Sequence, residues 1–111
     1  MEPQVEKAFE IANFMTTMAS QKRILQENYQ QTLLCYYNGG TFKATRELIG
    51  FIVNLKTDHY VVIDENQIPV MITDIPGFID KLLSQHTEAV NSYFSHYQQL
   101  IKSKKIESLI E

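Results

Sequence analysis

The sequence predicts an α+β fold, mainly helical: a long helix, a short buried helix, a β-hairpin and a second long helix. Three observations carry this. Residues 1–38 hold no glycine and no proline beyond Pro3, while apolar side chains recur at helical spacing. Residues 59–72 read as two β-rich runs about a polar turn. Residues 74–102 repeat apolar side chains in steps of four and three.

The first helix is expected over 1–38. Pro3 suits a first turn, and Glu2 and Glu6 suit the positive end of the helix dipole. Ile11, Met15, Met18, Lys22, Leu25, Tyr29, Thr32 and Tyr36 form one stripe, and Asn38-Gly39-Gly40 closes it with a left-handed residue. Thr41 to Ala44 is a connector. Thr45 then caps a helix over 45–56, with Glu47 in its first turn. Leu48, Ile49, Phe51, Ile52, Val53 and Leu55 surround most of that helix, so it is expected to be enclosed on several sides.

In the hairpin, 59–72, His59 to Ile63 and Ile68 to Ile72 are the strands and Asp64 to Gln67 the turn. Pro69 lacks an amide proton, so its donor side must face away from its ladder partner. Thr73-Asp74 caps the last helix, 74–102, with Pro76 in the first turn. Its seam is Ile79, Leu83, His86, Val90, Tyr93, Tyr97 and Leu100. A tail over 103–111 carries Ile106, Leu109 and Ile110.

At 111 residues the chain is expected to form a single domain. It is 44% hydrophobic and 21% charged, with 4 Gly and 3 Pro, which excludes a disordered or low-complexity chain. Ten basic residues against thirteen acidic ones argue against a dominant phosphate-binding field. The single cysteine, Cys35, forms no internal disulfide, and no apolar run reaches the roughly 18 residues of a membrane span. The first residues mix charges where a signal peptide would be apolar, so a cytoplasmic protein without a membrane anchor is expected.

Candidate chemistry is sparse. His59, His86 and His96 share no close helical face, and no Cys/His cluster supplies the ligands of a zinc site. Cys35 sits between Leu34 and Tyr36 without the surroundings that activate a thiol. Asp64 and Glu65 belong to a turn, and Asp74 and Asp80 to a helix start. Gly39-Gly40 is a pair, not a phosphate loop. No catalytic, cofactor-binding or metal-binding residue is assigned, and the chain reads as a non-enzyme without a cofactor.

The helical stripes are the strongest signal. They predict a small oligomeric protein-binding or assembly factor whose interface uses Met18, Leu25, Tyr29 and Tyr36 of the first stripe. From the second it uses Leu83, His86, Val90, Tyr93, Tyr97 and Leu100. Within that seam His86 is either a register-setting polar residue or a packed ring with a nitrogen at water. Hairpin edges offer main-chain groups that a second copy would satisfy. The alternative is a small nucleic-acid-binding regulator using Lys22, Arg23, Lys43 and Arg46.

Asn38-Gly39-Gly40-Thr41-Phe42-Lys43-Ala44-Thr45, followed by Glu47-Leu48-Ile49 and Phe51, resembles small accessory and assembly proteins of T-even-like tailed phages. Val61-Val62-Ile63-Asp64, Asn66, Ile68-Pro69-Val70, Glu88-Ala89 and Tyr97 continue the likeness, which covers Tyr36 to Leu100. The resemblance implies a phage accessory or virion-assembly role in the host cytoplasm. It carries over no catalytic residue.

Overall fold

A computed structural model describes residues 3–110, with side chains described at positions 6–8, 10, 11, 15 and 17–104. Its elements are α1 (Pro3–Thr32), β1 (Leu34–Tyr37), β2 (Gly40–Lys43), α2 (Arg46–Val53), β3 (Tyr60–Ile63), β4 (Pro69–Ile72) and α3 (Ile75–Ile110). The fold is α+β and mainly helical, with long helices first and last. Each sheet is one antiparallel hairpin, β1–β2 and β3–β4. The chain gathers into two compact units, Tyr29–Ser92, and Met1–Asn28 with Tyr93–Glu111.

Within Tyr29–Ser92, the first correction concerns residues 33–38, which are not helix. Leu33 N–H makes the last helical bond, to Tyr29 O, and Leu34–Tyr37 runs back against Gly40–Lys43. Asn38 and Gly39 take φ values of 50° and 80°. Two consecutive positive φ values make the two-residue turn whose twist suits a hairpin. The Asn-Gly pair is thus a strand reversal and not a helix cap. Tyr36 falls at helical spacing from Thr32 by coincidence. In strand geometry Cys35 points in and Tyr36 out, 72% exposed. The expected connector Thr41 to Ala44 is accordingly mostly β2, with Phe42 buried.

Gly40 lets the first hairpin lie against the second. A Cβ there would meet Val70 Cγ2 at 2.8 Å and the Phe42 ring at 2.9 Å. The core gathers Phe42, Ile52, Ile72, Phe78 and Leu82, all essentially solvent-free. Phe78 meets Phe42 edge-on at 4.9 Å and Tyr37 at 5.1 Å, within the range where aromatic pairs add to area burial.

α2 starts where expected, Thr45 Oγ1 accepting from Leu48 N–H at 3.1 Å. It ends at Val53 and not at 56, because Asn54 caps it through bonds to Gly50 O. Its enclosure is also corrected. Ile49 and Ile52 are buried, whereas Phe51 and Val53 stand about half exposed, so only one face is covered.

α3 starts at Ile75, with Asp74 Oδ1 accepting from Gly77 N–H at 3.0 Å. In this unit its buried row is Ile75, Phe78, Leu82 and Ala89. The expected seam lies beside that row: Ile79 packs on the core, but Leu83 and Val90 are exposed. The true row includes Gln85 and Ala89, which makes it look less apolar in sequence than its neighbour. The expected tail over 103–111 is helical to Ile110, and the side chains of Ile106, Leu109 and Ile110 lie outside the described residues.

In the other unit, Met18, Lys22, Leu25, Tyr93, Tyr97 and Leu100 are half-buried. Tyr93 and Tyr97 stack at 6.2 Å, and Lys22 Nζ stands 5.7 Å from the Tyr97 ring centre. Ile11 and Met15, expected on the same stripe, are exposed. Among the described residues no helix is long and apolar enough to cross a membrane.

Candidate functional site

The second hairpin presents two unlike faces. Val62, Val70 and Ile72 point into the core. Val61 pairs with Met71 and Ile63 with Pro69, and these four point outward and are exposed. The outward row is therefore wholly apolar. Tyr60, at the start of β3, meets the exposed ring of Phe51 at 5.7 Å.

Its edges also differ. Asp64 N–H donates to Ile68 O at 2.9 Å, so the pair 64/68 is hydrogen-bonded across the turn. Antiparallel ladders alternate, which makes 62/70 and 60/72 bonded pairs and leaves 61/71 and 63/69 with main-chain groups pointing sideways. On the β4 side, Pro69 has no N–H to offer and Met71 O accepts from Asn38 Nδ2 at 3.3 Å. On the β3 side, the N–H and C=O of Val61 and Ile63 face no strand among the described residues.

Asp64 holds this hairpin in place. Its buried carboxylate accepts from Thr41 N–H at 3.0 Å through Oδ2, and from Asn66 and Ile68 N–H at 2.9 and 2.8 Å through Oδ1. Glu65 N–H returns a bond to Thr41 O at 2.9 Å. The amides of Thr41, Ile68 and Asn66 hold the carboxyl below its ordinary range, against a smaller opposing effect of burial. The sequence shows Asp64 as a turn residue. Its bond to Thr41, 23 positions earlier, has no local signal.

A concavity of about 490 Å³ opens beside α2, lined among others by Tyr29, Thr45, Arg46, Glu47, His86 and Val90. His86 Nδ1 lies 2.8 Å from Ala44 O. A carbonyl can only accept, so Nδ1 carries the proton and the ring ties α3 to the segment before α2. Gln85 Nε2 makes a parallel tie to Thr32 O. His86 is thus a packing and anchoring residue. Arg46 and Glu47 give the concavity mixed charge.

Cys35 is buried, and desolvation pushes its thiol up, with Lys81 acting in the opposite sense. It has the character of a small core residue and not of a nucleophile. Among the described residues no group of three His, Cys, Asp or Glu side chains is placed to hold a metal ion.

The ten expected interface residues divide. Met18, Leu25, Tyr93, Tyr97 and Leu100 fall in one unit and are half-buried there, and in the other Tyr29 and His86 are half-buried. Tyr36, Leu83 and Val90 are exposed in the latter unit. Of the basic residues, Lys22 and Arg23 fall in the first unit, and Lys43 and Arg46 in the second. Lys22 is engaged with Tyr97, and Arg23 Nε with Glu27 at 3.8 Å. The outward row of the second hairpin is the surface that sequence reasoning missed. Tyr60-Val61-Val62-Ile63 is apolar throughout, so no alternation distinguishes its faces. No family model matches the chain, and neither the curated proteins nor the solved structures contain a match.

Proposed function

We propose that this protein is a small non-enzymatic assembly factor that self-associates and holds protein partners through apolar surface. The observation that supports this most is the outward row of the second hairpin, where Val61, Ile63, Pro69 and Met71 stand in solvent without a charged member. Exposed apolar side chains gathered on one face mark contact surfaces. Phe51 and Val53 of α2 add further exposed apolar groups in the same unit.

Charge supports a polypeptide partner over nucleic acid. The unit Tyr29–Ser92 holds four basic and seven acidic residues, and the other unit six of each, so the whole net charge of −3 belongs to the unit with the apolar row. A phosphate backbone is repelled by such a surface. The likeness of residues 36–100 to T-even-like phage accessory proteins supports an accessory or virion-assembly role within an infected cell. Light scattering tests the self-association: a mass that rises with concentration into the high micromolar range is expected. A strict monomer throughout overturns it.

A further inference from the structure

We infer that β3 is a self-pairing edge, which adds antiparallel to β3 of a second copy in the register that sets Val61 opposite Ile63 of that copy. The inference rests on the assembly reading above and names its contact. Four features of the hairpin support it.

The edge is open. Val61 and Ile63 each turn a donor and an acceptor sideways, their side chains are 45% and 56% exposed, and no strand lies against them among the described residues. Unpaired strand edges of this kind are templates for another chain. The opposite edge is interrupted, by the missing N–H of Pro69 and by Asn38 on Met71 O. In the first hairpin, the outer edge of β2 is occupied where Thr41 bonds Asp64 and Glu65. On β1, Leu34 is half-buried and only Tyr36 stands clear. β3 is the edge with two adjacent outward-bonding residues in solvent.

The register follows by elimination. Within β3 only Val61 and Ile63 have the sideways orientation, because His59 precedes the strand and Glu65 lies in the turn. Centring a two-fold on Ile63 would set Val61 opposite Glu65, whose N–H is already given to Thr41 O, and would leave only the Ile63 pair bonded. Centring it on Val61 would require His59, which lies outside β3 and whose carbonyl accepts from Thr57 Oγ1 at 3.0 Å. Centring it on Val62 uses only Val61 and Ile63, each donating once and accepting once.

Charge agrees with that register. Tyr60 to Ile63 carry no charge, so like charges do not meet along the paired strands. At both ends the same two-fold sets exposed His59 opposite exposed Glu65 of the other copy, so the two Glu65 carboxylates do not face one another. A contact this short falls below the area of a standard stable interface, so association is expected at about 10–500 µM and not at nanomolar concentration.

Sedimentation equilibrium over that range tests it. V61P removes the outward N–H without touching the ladder to β4, a substitution tolerated at strand edges. Association is expected to weaken at least about tenfold, while the circular dichroism spectrum and urea midpoint show a folded chain. Should V61P not fold, charged variants decide. V61K and I63E are each expected to associate less than wild type, and an equimolar mixture of the two to recover association. A mixture of V61K with V61E is expected not to recover it. Undiminished association in folded V61P, or recovery by V61K with V61E instead, overturns this register and leaves the assembly reading standing. A wild-type chain that stays monomeric overturns both, and leaves the edge to a strand from another protein.

Discussion

Leu82 and Leu83 are adjacent on α3, identical in chemistry and about 100° apart around the helix. Leu82 is 0% exposed in the core with Phe78, whereas Leu83 is 45% exposed. Truncating Leu82 to Ala removes its transfer free energy and leaves a cavity, which costs about 2–5 kcal/mol for a buried leucine. Full burial of a leucine contributes about 1.5–3 kcal/mol, and Leu83 realises only about half of that. Alanine returns a few tenths of a kcal/mol through its helix propensity, so L83A should cost about 1 kcal/mol or less. Urea denaturation followed by circular dichroism measures both, with the slope unchanged so that midpoints compare directly. At roughly 4 °C per kcal/mol for a chain of this size, L82A should lower the melting temperature by about 8–20 °C and L83A by at most about 4 °C. Equal costs, or a larger one for L83A, would show that the seam through Ile79, Leu83, His86 and Val90 is the buried face and would refute the packing described here.

Two further outcomes follow from the hairpins. The Asp64 carboxyl has its pKa lowered on folding from an ordinary 3.8, so the stability it contributes is full above that value and lost as pH falls through the lower folded value. D64N should therefore have a lower urea midpoint than wild type at pH 7, with the gap closing below about pH 4; a gap independent of pH would contradict the bonding described. Gly39 holds φ 80° with open space where a Cβ would stand, so G39V should destabilise through backbone strain alone, by about 1–3 kcal/mol in thermal melts. G39A should cost less, and a neutral G39V would refute the positive-φ turn.

Much of the fold could be read from residue patterns because those patterns were local. Thr45 with Leu48, the polar turn at Asp64, and Asp74 with Gly77 are contacts within three or four positions, and each appears in the structure where its residue types suggested. The first hairpin was hidden because Leu34-Cys35-Tyr36 continues a helical spacing while also fitting a strand. What settles it is the Asn38-Gly39 turn and the burial of Phe42, and the second of these depends on Phe78, far along the chain. The phase of α3 was misread for a similar reason: small Ala89 is buried because close packing favours it there, a fact of shape that hydropathy does not encode. The candidate surface was the least visible. Its edge is defined by which backbone groups other segments leave unpaired, and that depends on Asn38, Thr41 and Pro69 together.

Asp64 has a consequence for the order in which this unit comes together. Its carboxylate is satisfied within the turn by Asn66 and Ile68, and from outside it by Thr41, which belongs to the other hairpin. Closing that loop of 23 positions costs chain entropy before the bond rewards it, so docking of the hairpins belongs late in folding, after each has formed locally. Until then the second hairpin carries an anion lacking its Thr41 donor. The charge therefore acts as a penalty on premature burial and ties the completion of one hairpin to the arrival of the other.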